Sequence, residues 1–266
     1  MKSPRMPAGL LLAGGMLSAV PAFAGEWLQW QDNSLSYLDG RDFTVQPARQ
    51  QTLTLEHVDG WKYGDNFLFV DVTRFNGGTD AGTGASAWYG EFAPRLSLGK
   101  IAGRPVGVGP VKDVLLAMAY EFGEGPVETW LVGPGIDLDI PGLDYLQLNV
   151  YRRQPRDGRA GDGQWQVTPV WAWTLPVGRS DVLVDGFIDW VVDNRDGSHA
   201  HLHFNPQVKY DLGKAFGWEE KTVYVGVEYD YWKNKFGIDH DGYLGREVLG
   251  GTDQNTASLL LKVHLP

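Results

Sequence analysis

From Trp27 onward the chain alternates. An apolar residue is followed by a polar or small one, in runs of about ten, and the runs are split by clusters of Gly, Asp, Asn and Pro. A period of two is the period of a β-strand, whose successive side chains point to opposite faces. In Trp165–Leu175 one face reads Trp165, Val167, Pro169, Trp171, Trp173, Leu175, and the other Gln166, Thr168, Val170, Ala172, Thr174. In the run beginning at Val182, Val184, Ile188, Trp190 and Val192 alternate with Asp185, Phe187, Asp189 and Asp193. From His201, Leu202, Phe204, Val208 and Tyr210 alternate with His203, Asn205, Gln207, Lys209 and Asp211. One greasy face and one wet face on every strand suit a sheet closed in a membrane, with lipid outside and water inside. A two-layer sandwich in water would use the same alternation, so that architecture is the competing expectation.

About twelve runs occur, starting near Trp27, Gln51, Asn66, Ala87, Lys112, Glu128, Leu143, Gly163, Asp181, His199, Lys221 and Gln254. An even number lets both termini sit on one side of a membrane. Long polar connections (39–50, 76–86, 154–163, 193–198, 234–253) alternate with tighter ones such as Pro141–Gly142. That rhythm of long outer loops and short turns belongs to outer-membrane barrels, although the 99–110 segment is long for a turn. Aromatic residues gather near run ends, as interfacial girdles require: Trp27 with Trp30, Trp61 with Tyr63, Trp88 with Tyr89, and Tyr229, Tyr231 and Trp232 together. Pro134, Pro169 and Pro206 fall inside runs, which reads as bulges. The fold expected is all-β: a transmembrane antiparallel up-and-down β-barrel of about 12 strands.

Residues 1–24 stand apart. Lys2 and Arg5, an apolar run of about 13 residues and Pro21-Ala22-Phe23-Ala24 form the pattern of a secretory signal peptide. The apolar run is shorter than the roughly 20 residues of a spanning helix. The expected organisation is a leader over 1–24 and one barrel domain over 25–266. The formal charge is -10, and losing Lys2 and Arg5 makes it about -12 (-10 minus 2). So acidic a chain is a poor partner for nucleic-acid phosphates. It contains 0 Cys, so an exported protein of this kind uses no disulfides.

Several stretches resemble the Tsx-type nucleoside-specific outer-membrane channels and their phage-receptor relatives. They are Trp27-Leu28-Gln29-Trp30 with Ser36-Tyr37; Gly60-Trp61-Lys62-Tyr63-Gly64-Asp65 leading into Phe69-Val70-Asp71; Glu91-Phe92-Ala93-Pro94-Arg95-Leu96-Ser97; and Thr129-Trp130 through Gly135-Ile136-Asp137-Leu138-Asp139 to Leu148-Asn149-Val150-Tyr151. The resemblance is weaker after about Arg152. It implies a twelve-stranded barrel in the cell outer membrane with a narrow lumen. It also implies passive diffusion of nucleosides past weak sites of aromatic and ionisable side chains, with no enzyme activity and no cofactor or metal. A monomer in outer-membrane lipid is the expected assembly, and the long outer loops would be where a phage docks. A surface protein serving phage docking or adhesion without nucleoside specificity is the alternative function.

A nucleoside is an uncharged flat base on a polyol. Its channel should offer aromatic faces worth roughly 1–3 kcal/mol per base, and carboxylates or amides for the hydroxyls. The candidate lumen residues are Phe43, Glu56, Asp71, Glu91, Arg95, Asp137, Asp139, Asn149 and Tyr151. Phe43 lies near the position of a lumen aromatic in the family. Glu91 and Arg95, four apart on one face, and Asp137 with Asp139 also read as ion-pair material that merely knits the wall. Two further constellations invite rival chemistry. His199, His201 and His203 with Asp189 and Asp193 resemble metal ligands, and Ser198, His203 and Asn205 resemble a lipase triad. The alternation places His203 and Asn205 on the inner face, away from any lipid substrate.

Overall fold

A computed structural model describes residues 27–76, 85–125, 127–156 and 158–266. The signal-peptide reading of residues 1–24 and most of the 76–86 connection lie outside the described residues. Twelve strands follow one another: β1 (Leu28–Arg41), β2 (Arg49–Trp61), β3 (Gly64–Phe75), β4 (Ser86–Ser97), β5 (Val111–Gly123), β6 (Glu128–Leu138), β7 (Tyr145–Pro155), β8 (Trp165–Val177), β9 (Ser180–Val191), β10 (His201–Asp211), β11 (Val223–Lys233) and β12 (Gln254–Leu265). Each begins within two residues of the start that alternation marks. Every strand pairs with its sequence neighbour, and β1 closes on β12 antiparallel, with Asn33 opposite Leu265 and Gly40 opposite Ser258. Closure satisfies every edge, the condition for crossing hydrocarbon with strands.

The faces are inverted relative to a water-soluble protein. Large apolar side chains point outward and are exposed: Leu55 and Val208 at 50%, Leu259 at 71%. The side chains shielded from solvent are largely polar and point inward, among them Arg95, Asn149, Gln166, Lys209 and Thr256. The open sandwich is thereby excluded, because its shielded face would be apolar. Among the described residues no helix is long and apolar enough to cross a membrane, so the crossing elements are strands.

Proline interrupts the ladder without shifting it. Pairing between β6 and β7 lapses at Pro134 and resumes in the same register, from Val132 opposite Arg152 to Gly135 opposite Asn149. The same happens at Pro169 between β8 and β9, and at Pro206 between β10 and β11. The expected bulges are absent at these three positions. The missing N–H removes a rung, but the residue count on the two strands stays equal. Register does shift near Trp30 and between Val111 and Asp113.

Two connections on the short-turn side carry helices that alternation could not reveal. Helix α1 (Leu98–Ala102) follows β4, and α2 (Leu212–Phe216) follows β10. Ser97 caps the first by accepting from Lys100 N, and Asp211 the second by accepting from Lys214 N. Gly103 and Gly217 end them with φ of 64° and 73°, the left-handed conformation that glycine adopts without cost. Helix α1 accounts for the length of the 99–110 connection. The repeated Leu-Gly-Lys of the two helices is the sequence trace of this device.

Candidate functional site: the barrel lumen

Among the described residues, a large cavity of about 2090 Å³ occupies the barrel interior. Its lining extends from Phe43 and Phe236 at the long-loop end to Lys100 and Arg104 at the other. Mostly even-numbered residues of β1, β2 and β8 and odd-numbered residues of β3, β4, β7, β9 and β10 supply the wall, as alternation requires, with Asp59, Asn66, Trp88 and Gly186 out of phase.

Eight of the nine candidate residues line this cavity: Phe43, Glu56, Asp71, Glu91, Arg95, Asp137, Asn149 and Tyr151. Asp139 does not. β6 ends at Leu138, and Asp139 sits exposed in the following turn, its N–H donating to Pro110 O. The alternating pattern continued past the strand that it described.

The partnerships differ from those suggested by spacing. Glu91 and Arg95 share the inner face, but four residues along a strand span roughly 13 Å, and no bond joins them. Arg95 instead holds both oxygens of Asp65 at 2.8 Å and reaches over to Asp137 at 2.8 Å. It can cross because β5 and β6 present only small residues beneath it. Ala117 is buried opposite Arg95, and a Cβ at Gly135 would stand 2.5 Å from Asn149 Oδ1. Three further cations are bound in the same manner. Arg153 grips Glu121 at 2.9 and 2.7 Å and also donates to Gln166. Lys209 holds Asp185 and Gln207, each at 2.7 Å. Lys262 donates to Glu56, which also accepts from Ser34 at 3.0 Å. Lys209 and Asp185 stood on the inner faces that alternation marked, while their pairing required the register between β9 and β10.

Aromatic faces form two groups on the wall. Phe67, Phe69 and Tyr89 follow one another with centroids 5.7 Å apart. Opposite them in the strand order, Trp232 stacks on His203 at 3.9 Å, and Phe187 meets His203 edge-on at 5.1 Å. Tyr89, Trp30 and Trp232 therefore belong to the lumen rather than to the outer girdle. His203 is further held by Asp230 at 3.0 Å. His199 stands apart, half exposed near Asp239, and His201 bonds the His199 carbonyl. The three histidines do not converge, and among the described residues no group of His, Cys, Asp and Glu is placed to hold a metal. Asn205 donates to Tyr229 O rather than to a His–Ser pair.

Residues 25–262 match the family model described as nucleoside-specific channel-forming protein, Tsx. The chain belongs to this family. It is 27% identical over 184 residues to outer membrane protein OmpK of Vibrio parahaemolyticus, covering 65% of each chain. It is 25% identical over 183 residues to the nucleoside-specific channel-forming protein Tsx of Klebsiella pneumoniae, covering 62% of each. The matched region spans just under two thirds of the length of these relatives. Among solved structures, the KdgM porin aligns over 86% of this chain and 98% of its own, with a TM-score of 0.48 and 11% identity. The Tsx-family barrel is an outer-membrane protein, crossing the bilayer with its twelve strands.

The mouth of this Tsx-family barrel contains a residue that no pattern in the chain marks. Lys235, in the β11–β12 connection, is buried to 3% exposure. Its ammonium donates to Gln254 Oε1 at 2.6 Å and lies over the rings of Phe43, Trp232 and Phe236 at 5.7, 5.8 and 5.2 Å. Gln254 Oε1 also accepts from Thr44 N at 3.0 Å, so one amide ties the first and last outer connections together. Burial, partly offset by the Asp230 carboxylate, pushes the Lys235 ammonium down to about 8. Below that pH the folded chain carries the proton at a desolvation cost. Between about 8 and the ordinary lysine value of 10.5 the unfolded chain binds more protons, so stability rises with pH across that window. Lys235→Met is expected to remove this rise, on the order of 1–3 kcal/mol. Thermal melts in detergent at about pH 7 and about pH 9.5, giving parallel shifts for both proteins, would refute the assignment.

Proposed function

We propose that this barrel is a passive channel for nucleosides or similar small polar solutes, moved only by their concentration difference. The observation that carries the reading is one lumen wall bearing both aromatic faces and hydrogen-bonding carboxylates. Phe43, Phe69, Tyr89 and Trp232 offer planes; Asp71 and Glu91, paired across strands with Tyr89 and Phe69, offer acceptors, and Asn149 lines the same cavity. Membership of a family described as nucleoside-specific supports the substrate class. Stacking and ribose hydrogen bonds of this kind are individually weak, and a conducting site must release what it binds.

Ion current through the protein in a planar bilayer should fall when adenosine or uridine is added. Phe43→Ala should raise the half-blocking concentration by roughly tenfold, the lower part of the range for one lost stacking plane. Unchanged current with both nucleosides would sink the nucleoside reading. Block that is identical in wild type and Phe43→Ala would remove Phe43 from the pathway.

A further inference from the structure

The outer surface of β1–β3 carries a charge arrangement that the lumen does not explain. Arg41 on β1 stands directly opposite Arg49 on β2, and Arg74 on β3 opposes Gln51, two residues along β2. All three arginines are exposed. All three point away from the lumen: their chain neighbours Gly40, Gln50 and Thr73 occupy the opposite phase, and Gln50 and Thr73 line the cavity. Cross-strand neighbours on one face have Cβ atoms about 5 Å apart, and like charges placed so repel. Among the described residues none of the three has a carboxylate within ion-pair distance. On the same patch, Asp39 accepts from Gln51 Nε2 at 3.1 Å, and that amide also donates to Tyr37 Oη at 2.8 Å.

Directly beneath this rim the same strands turn apolar. Leu53, Leu55 and Val72 are exposed at 45%, 50% and 51%, on the face that meets hydrocarbon. The patch is thus continuous with the lipid-facing wall: an apolar surface below, a polar Tyr37–Gln51 step, and at the long-loop end three guanidinium groups that lack a carboxylate partner among the described residues. Guanidinium forks match phosphate oxygens geometrically. We propose that Arg41, Arg49 and Arg74 form a binding site for the phosphate of an outer-leaflet glycolipid of the lipid A type, whose acyl chains lie along Leu53, Leu55 and Val72. The bound phosphate removes the repulsion between Arg41 and Arg49, which explains why two arginines are tolerated opposite each other.

The test is native mass spectrometry of the detergent-solubilised barrel titrated separately with lipid A, phosphatidylglycerol and phosphatidylcholine. Lipid A should be retained most strongly, and retention should fall as salt rises. The variant R41Q/R49Q/R74Q should lose lipid A affinity on the order of a hundredfold, at about fivefold per charge near a surface. Arg49→Gln alone should lose about fivefold, which keeps the test available if the triple variant folds poorly. Arg195→Gln removes an exposed rim arginine paired with Asp193, and it should leave retention unchanged. Equal retention by wild type and R41Q/R49Q/R74Q would overturn the proposal. So would an equal loss in Arg195→Gln, and so would phosphatidylglycerol binding as tightly as lipid A.

Discussion

Replacing Arg95 by Met should destabilise the folded barrel by about 3 kcal/mol, the lower end of the cost of breaking a buried ion pair. Arg95 is 5% exposed and serves two carboxylates, Asp65 at 28% and Asp137 at 26% exposure. Methionine fills most of the volume over Ala117, so the loss would be electrostatic rather than a cavity effect. Two carboxylates would be left facing each other across the small residues of β5 and β6. Their partial exposure lets lumen water screen them, which sets the cost at the low end. Urea unfolding in detergent, followed by the shift in gel mobility between folded and unfolded barrel, measures this. The triple variant D65N/R95M/D137N should recover much of the loss, because the uncompensated charges go with the arginine. A triple variant as unstable as Arg95→Met would show that the arginine acts by packing alone.

The same residue shows what could be read from the sequence and what could not. Alternation placed Arg95 and Asp137 on strands and on the wet face, because the two-residue period needs no tertiary information, but it left Asp65 in the connection before the run starting near Asn66, whereas β3 begins at Gly64. It could not say that Arg95 reaches Asp137, forty-two positions away. That contact depends on the barrel register and on the absence of side-chain bulk at Ala117 and Gly135. The apparent Glu91–Arg95 pair failed for the converse reason, since closeness in sequence is distance along a strand. Asp139 failed because a pattern continues where a strand stops. Lys235 and the helices α1 and α2 were illegible because loops carry no period. Lys235 is set by the left-handed backbone at Asn234 and Phe236, with φ of 50° and 60°, and by contacts from two other segments. The strands of this barrel were therefore written locally, whereas its mouth and its ion-pair network were written in the closure.

Closure in lipid has its own large consequence. Val184→Arg is expected to cost about 2–4 kcal/mol, because it puts a charge on the outward face near mid-strand. Val184 lies on β9 between Trp173 of β8 and Val208 of β10, both exposed and apolar, so no polar partner is within the outer wall. Two comparisons separate this membrane cost from ordinary disruption of a strand. Val192→Arg, just past the outer end of β9, should cost only about 0–1 kcal/mol, since an arginine there reaches the headgroups. Val170→Arg, on β8 but lining the cavity, should also cost less than Val184→Arg, because the lumen is wet and already holds charged side chains. Folding yield and urea midpoints in bilayers of defined composition would rank the three. If Val170→Arg proved as damaging as Val184→Arg, the two faces of the wall would not differ in solvent. The division into a lipid-facing and a water-facing surface, on which the channel reading depends, would then be lost.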